Sequence, residues 1–128
     1  MATPAGGNPL ETELNTFRTI QKEIGKVQGQ IGTAGTQILE NEMVLKELEL
    51  LEDEAKVYKL VGPVLMKQDL VEARGNVEKR LDYIRAENER LEKAAEAMQK
   101  KQTEKQEGII ALQQQMMKLA NPSVGESA

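Results

Sequence analysis

The feature that most constrains this chain is a sustained four-three spacing of apolar residues in its second half. Alternate steps of four and three residues from Leu70 reach mostly apolar side chains as far as Leu119, and the phase never slips. This spacing is typical of a coiled-coil helix, because successive turns present the same face to a partner helix. No proline interrupts the segment, so we predict one helix over residues 69–120. The seam positions are Leu70, Arg74, Val77, Leu81, Ile84, Asn88, Leu91, Ala95, Met98, Gln102, Lys105, Ile109, Leu112, Met116 and Leu119.

A weaker form of the same spacing occupies the first part of the chain, where we predict a helix over residues 10–53. Its predicted seam is Leu10, Leu14, Phe17, Gln21, Ile24, Gln28, Ile31, Gly35 and Ile38. Four glycines lie in this stretch (Gly25, Gly29, Gly32 and Gly35), and each costs up to about 1 kcal/mol relative to alanine. Partner packing must therefore hold this helix. Beyond Ile38 the apolar positions spread over a face too wide for two helices, which predicts a further packing partner. These positions are Val44, Leu45, Leu48, Leu50 and Leu51.

A β-hairpin over residues 56–68 is predicted between the two helices. Two short β-branched runs flank Gly62-Pro63, a pair that favours a turn. A hairpin reverses the chain, so the helices should be antiparallel. One register then places Ile38 beside Ile84, Ile31 beside Leu91, Ile24 beside Met98 and Leu14 beside Ile109, with polar or small layers at Gln21–Gln102 and Gly35–Asn88. The predicted fold is mainly α: a long antiparallel two-helix coiled coil joined by one β-hairpin. Residues 1–9 and 121–128 are small, polar and Pro/Gly-containing, and we expect disordered tails there.

Composition narrows the functional classes. The chain has 128 residues with no Cys, His or Trp, and 2% of its residues are aromatic. Thiolate and histidine catalysis, and metal sites built on those residues, are thereby excluded. Carboxylate-only metal binding stays open, although Glu52-Asp53-Glu54 more resembles a solvated turn than a Ca²⁺ loop. The net charge of -4 provides no basic surface for nucleic acid. With no apolar run of about 20 residues, we expect a soluble, intracellular protein without cofactor.

Two surfaces could carry function. The hairpin is apolar on both faces, and an isolated two-stranded hairpin is marginal in water. We expect it to pair with hairpins of other chains in a closed sheet or barrel, the alternative being a connector folded back on its own helix ends. At the other end, Met116 and Leu119 extend past the register partner of Leu10, and Ile110 and Met117 lie off the seam. These residues form either a binding surface or a seam that frays or meets a neighbouring subunit.

The hairpin and its flanks resemble the beta class of the prefoldin family. The resemblance is carried by Glu40–Leu48, by Val57–Leu65 with the following Lys67-Gln68, by Glu72-Ala73-Arg74 and by Lys79–Ile84. Met66, where a β-branched residue is usual, and the extra glycines of the first helix depart from the pattern. The resemblance implies a cytoplasmic hexamer of two alpha-class and four beta-class subunits, whose hairpins build β-barrels and whose coiled-coil tips hold unfolded clients such as actin and tubulin. It also implies delivery to the group II chaperonin without nucleotide.

On this basis residues 10–120 form a prefoldin-like domain with two sets of candidate contact residues. The subunit-interface candidates are Val57, Tyr58, Leu60, Val61, Gly62, Pro63, Val64, Leu65 and Met66. The client-binding candidates are Leu10, Leu14, Phe17, Ile109, Ile110, Leu112, Met116, Met117 and Leu119. The favoured function is an ATP-independent chaperone that holds unfolded chains. The alternative is a structural tether or assembly subunit without client binding, and an enzyme is disfavoured because a thin two-helix rod offers no catalytic pocket.

Overall fold

The computed structural model describes residues 8–120 and contains two long helices separated by a hairpin. In chain order these are α1 (Pro9–Leu50), β1 (Val57–Val61), β2 (Val64–Gln68) and α2 (Leu70–Ala120). The predicted mainly α fold with one hairpin is confirmed. The chain divides into two compact units. We call Gly29–Glu92 the hairpin unit, and Met1–Gln28 together with Lys93–Ala128 the terminal unit.

The start of α1 lies earlier than predicted. Pro9 is the first helical residue, and the backbone N–H of Leu10 donates to Asn8 Oδ1 at 3.0 Å. Asn8 therefore caps the helix, and proline suits the first helical position because its missing N–H would have no helical partner there. Asn8 and Pro9 thus belong to the helix start rather than to the predicted tail. Residues 1–7 and 121–128 lie outside the described residues, so their predicted disorder stays a prediction.

The end of α1 also differs from the prediction. The helix ends at Leu50 instead of residue 53, and i→i−3 hydrogen bonds follow from Leu51 N to Leu48 O and from Ala55 N to Glu52 O. Glu52, Asp53 and Glu54 come next in the chain. Three carboxylates are unfavourable at the negative end of a helix macrodipole, which explains why the helix stops before them.

The hairpin forms where the sequence predicts it. β1 and β2 pair antiparallel from Val57 opposite Gln68 to Val61 opposite Val64. Gly62 has φ 59°, in the left-handed region that glycine enters without a Cβ clash, and Pro63 holds φ near −65°. Positive φ followed by negative φ in a two-residue loop corresponds to a type II′ turn, whose twist suits a hairpin. The predicted turn at Gly62-Pro63 is therefore correct.

The seam of α2 is confirmed by burial. Asp69 caps this helix, since the backbone N–H of Glu72 donates to Asp69 Oδ2 at 3.1 Å. Every predicted seam position from Leu70 to Leu112 is buried or half-buried. Leu81, at 1% exposure, is the most enclosed. The pattern ends after Leu112, because Met116 and Leu119 are exposed.

The seam of α1 is confirmed at all of its predicted positions except Gln21 and Gln28. Phe17, Ile24, Ile31 and Ile38 are buried or half-buried, but Gln21 and Gln28 are exposed. The alternate seam positions are instead Ile20, Val27 and Ala34, each one residue earlier than predicted. Steps of three then four satisfy helical geometry as well as steps of four then three, and this choice buries apolar side chains in place of glutamines. The proposed Gln21–Gln102 layer is therefore wrong.

Cross-helix contacts within the hairpin unit show the antiparallel arrangement. The Arg74 side chain donates to Leu48 O at 2.9 and 3.0 Å, and Arg80 Nη1 lies 3.3 Å from Asn41 Oδ1. Both contacts agree with the predicted register to within one residue. In the terminal unit, Lys105 Nζ lies 3.1 Å from Glu13 Oε2, one helical turn from the predicted register partner. Long charged side chains reach across a turn, so this ion pair fits the same antiparallel pairing.

Candidate interaction surfaces

The hairpin presents apolar side chains on both of its faces. Because paired residues of an antiparallel ladder share a face and neighbours alternate, Val61, Val64 and Met66 lie on one face. Tyr58, Leu60 and Leu65 lie on the other. All six are exposed by 47% or more. The folded-back connector is therefore wrong for the described residues, because neither helix covers these side chains.

The hairpin also leaves backbone groups unpaired. The described residues form one two-stranded sheet, so the outer edges of β1 and β2 each present N–H and C=O groups to solvent. Such edges are templates for pairing with further strands. Gly62 and Pro63 form the turn itself, and Val57 is half-buried at the base of the hairpin. The hairpin thus combines two apolar faces with two open edges.

The terminal unit places the predicted tip residues in two groups. Ile110, Met116, Met117 and Leu119 are exposed by 48%, 39%, 72% and 76%. Leu10, Leu14, Phe17 and Leu112 are half-buried, and Ile109 is buried at 7% exposure. In the doublet Ile109-Ile110 one helical residue faces the seam and its neighbour faces away. Met116, Met117 and Leu119 are exposed because they lie past Leu112, where the buried pattern ends. Within the terminal unit the exposed group offers the larger apolar surface, and the contact role predicted for all nine residues stays a prediction.

A third apolar surface, along α1 near the hairpin, was only partly found from the sequence. Leu39, Met43 and Leu50 are exposed by 64%, 65% and 77%. The sequence singled out Leu50, but not Leu39 and Met43. The signal that would have identified them is a second four-three series, Leu39, Met43, Lys46 and Leu50. Val71 and Tyr83 of α2 are exposed as well, both by 72%.

The electrostatics of the described residues are those of a solvated helical surface. Arg90 donates a hydrogen bond to Glu87, and this bond lowers the pKa of the exposed Glu87 carboxyl. Across residues 8–120 no cluster of three or more Asp and Glu side chains could hold a metal ion. Within the same residues, neither helix has a stretch long and apolar enough to cross a membrane. The features that stand out are therefore apolar contact surfaces.

A hairpin with open edges and two exposed apolar faces, between two long pairing helices, defines the structural class of this chain. The comparisons name the family. A family model described as a prefoldin subunit matches residues 11–116. The chain belongs to the prefoldin family, and the resemblance to that family seen in its sequence is confirmed. It is accordingly a subunit of a prefoldin chaperone complex and has other prefoldin subunits as partners.

Individual relatives agree with this assignment. Prefoldin subunit 6 of Arabidopsis thaliana is 51% identical over 107 residues, which cover 84% of this chain and 83% of the relative. Prefoldin subunit 6 of Homo sapiens is 36% identical over 116 residues, covering 91% and 90%. The crystal structure of the prefoldin beta subunit from Thermococcus strain KS-1 has a TM-score of 0.78 at 22% identity, and covers 83% of this chain and 93% of that one. The last comparison supports the fold.

Proposed function

We propose that this chain is an ATP-independent holdase subunit of a cytoplasmic hetero-hexameric prefoldin complex. It captures unfolded proteins such as actin and tubulin at its helix tip and delivers them to the group II chaperonin, without enzymatic activity or cofactor. The observation that carries the proposal is the hairpin, whose six apolar side chains are exposed on both faces. A surface of this kind on a family of complex-forming subunits is explained by burial in an assembly.

The hairpin is the proposed subunit interface. Pairing each open edge with a strand of a neighbouring subunit satisfies the exposed backbone groups, and closure into a barrel removes the edges altogether. A closed sheet also buries one face of every strand, and the helices or further strands of the assembly cover the other. We therefore assign Val57 through Met66 to the inter-subunit β-barrel.

The client-binding role rests on the four exposed residues of the tip. Ile110 and Met117 are seven residues apart and share a helix face, while Met116 and Leu119 continue the seam past Leu112. Methionine side chains are unbranched and polarizable, so they adapt to varied apolar partners. Leu10, Leu14, Phe17, Ile109 and Leu112 support this surface from below. A client with exposed apolar segments buries them here.

Substitution of the hairpin tests the assembly role. The variant Val61→Asp/Val64→Asp should fail to enter the hexamer on co-expression with the other prefoldin subunits, because a carboxylate buried without a partner is strongly unfavourable. The matched control Val61→Ile/Val64→Ile keeps the apolar face and should assemble. Native mass spectrometry measures both. Normal incorporation of the Asp variant would show that these residues lie outside any subunit interface.

Removal of the tip tests client binding. A chain lacking residues 110–128 should enter the hexamer but suppress aggregation of a denatured client less well, because it loses the exposed apolar group. The full-length variant Ile110→Gln/Met117→Gln should reproduce the loss with the helix intact. The control Gln106→Ala/Gln113→Ala alters exposed residues without removing apolar surface. Unchanged holding by hexamers carrying the truncated chain would favour the structural tether instead.

A further inference from the structure

The outer face of α1 carries a second, shorter coiled-coil series. Leu39, Met43, Lys46 and Leu50 are spaced four, three and four residues apart. At 100° per residue they lie within about 60° of one another on the helix, and the series extends about 16 Å along it. We call these four residues the outer stripe. Its three apolar members are exposed by 64% or more.

The outer stripe is separate from the seam that pairs α1 with α2. Ile38, Leu45 and Leu48 are half-buried and lie across the helix from the stripe, roughly 140° away. Leu48 O accepts hydrogen bonds from Arg74 of α2, which marks that side as the one facing α2. One helix therefore carries two four-three seams, a pattern typical of a helix that packs against two helical partners.

Glutamates flank the outer stripe on both sides. By helical position, Glu40 and Glu47 lie along one flank, and Glu42 and Glu49 along the other. All four are exposed. Glu42 pairs with Arg85 of α2 at 3.7 Å, whereas within residues 8–120 the other three form no salt bridge. The stripe thus has an apolar centre with a single lysine and an acidic rim.

The charge pattern selects the partner. In coiled coils the flanking charges set which helices pair, so an acidic rim calls for a helix with Lys or Arg at its flanks. A second copy of this chain is disfavoured, because in either orientation its own glutamates would meet those of the first copy. Lys46, at a central position, adds register specificity when it meets an acidic or polar residue.

The position of the outer stripe beside the hairpin indicates where its partner helix comes from. The stripe ends at Leu50, where Leu50, Leu51 and Ala55 line an open groove of about 410 Å³ that Glu52 and Glu54 also border. β1 begins two residues after Ala55, at Val57. The outer stripe therefore ends within a few residues of the hairpin, whose assignment as the subunit interface is the proposed function.

We propose that the outer stripe docks a basic-flanked amphipathic helix of a neighbouring prefoldin subunit, so that subunit contacts extend beyond the hairpin onto α1. This inference rests on the proposed assembly role of the hairpin. It explains why the apolar positions of α1 spread beyond Ile38: the helix packs on α2 with one side and on another subunit with the opposite side.

Crosslinking in the assembled hexamer tests the contact. A photo-reactive phenylalanine derivative at Met43 should crosslink to a helical peptide of another prefoldin subunit that contains Lys or Arg beside apolar residues. The same group at Lys79, an exposed position of α2, should give little crosslink. Crosslinks from Met43 to a second copy of this chain, to added client or to added chaperonin would overturn the proposal, and so would a yield no greater than that of Lys79.

A matched pair of variants measures the effect on assembly. Leu39→Gln/Met43→Gln should raise the concentration at which the hexamer dissociates by about tenfold or more. The control Val71→Gln/Tyr83→Gln removes two equally exposed apolar residues of α2 and should change it much less. An equal effect of the two variants, or none, would refute the outer-stripe contact. If the outer-stripe contact is refuted in this way, failure of the Val61→Asp/Val64→Asp chain to assemble would still support the hairpin interface. The two proposals can therefore be refuted independently of each other.

Discussion

Arg74 holds the C-terminal end of α1, and its removal should loosen that end. The guanidinium donates through Nε and Nη2 to Leu48 O at 3.0 and 2.9 Å, and through Nη2 to Leu51 O at 3.2 Å. Leu48 O lies in the last turn of α1, where it also accepts the backbone N–H of Leu51 at 3.3 Å, and Leu51 follows the last helical residue. Carbonyls at a helix end lack the regular i→i+4 partner, so the guanidinium supplies donors that the helix does not. The positive charge also lies at the negative end of the helix macrodipole. The perturbation that removes both effects and keeps the apolar stem is Arg74→Met.

The expected magnitude follows from these contacts. A hydrogen bond to a charged group contributes about 1.5–3 kcal/mol when buried. Arg74 is half-buried, so water replaces part of what is lost, and we count about 1 kcal/mol for each of the two carbonyls. The charge–dipole interaction adds about 0.3–1 kcal/mol. Arg74→Met should therefore favour local opening of the last turn by about 2.5 kcal/mol, which is roughly a 70-fold change in the opening equilibrium.

Amide hydrogen exchange measures this opening directly. Peptides covering residues 46–56 should exchange roughly 70-fold faster in Arg74→Met, while peptides covering residues 93–108 should not change. Arg74→Lys keeps the positive charge but loses the planar guanidinium with its several N–H donors. Exchange at residues 46–56 in this variant should therefore fall between those of the wild type and the Met variant. Arg90→Met is the matched control, because Arg90 bonds only to Glu87 within its own helix. Unchanged exchange at residues 46–56 in Arg74→Met would refute the capping role.

Three further predictions concern stability. Gly25→Ala and Gly29→Ala should each raise the free energy of unfolding, measured by urea titration, by up to about 1 kcal/mol, because a Cβ at either site meets no atom within 4 Å. Gly62→Ala should lower the free energy of unfolding, because Gly62 has φ 59°. The opposite signs would contradict the assignment of these conformations. Asn88→Leu should raise the thermal midpoint, because Asn88 Oδ1 is buried and accepts no hydrogen bond from a described residue, and a lowered midpoint would show that this polar group is satisfied. Glu87 has a lowered folded pKa, so any stabilisation from its bond to Arg90 is present at neutral pH and is lost on acidification through that pKa. Because the side chains of this pair are 65% and 39% exposed, solvent screens their interaction, and Glu87→Gln should leave the urea midpoint at pH 7 unchanged within error. A clear drop would show that the pair is more than a surface contact.

Local rules explain which parts of the fold were predictable. The spacing from Leu70 to Leu112 identified a helix and its buried face, because a helix places residues three and four apart on one side whatever lies opposite. Gly62-Pro63 identified the turn, because only certain residues adopt its backbone angles. In α1, by contrast, two seams one residue out of phase fit the same helical period. The sequence favoured Gln21 and Gln28, and packing against α2 buries Ile20 and Val27 instead.

The sequence by itself determined the two helices, the hairpin between them and the family, because each depends on residue spacing or on a run of residues that is read locally. Only the tertiary structure decided where α1 ends, which of its two seams faces α2, and which apolar residues stay exposed. These depend on contacts between residues distant in the chain, such as Arg74 with Leu48. The hairpin and the tip could be proposed from the sequence, whereas the outer stripe was recognised only from the apolar side chains of α1 that packing against α2 leaves exposed.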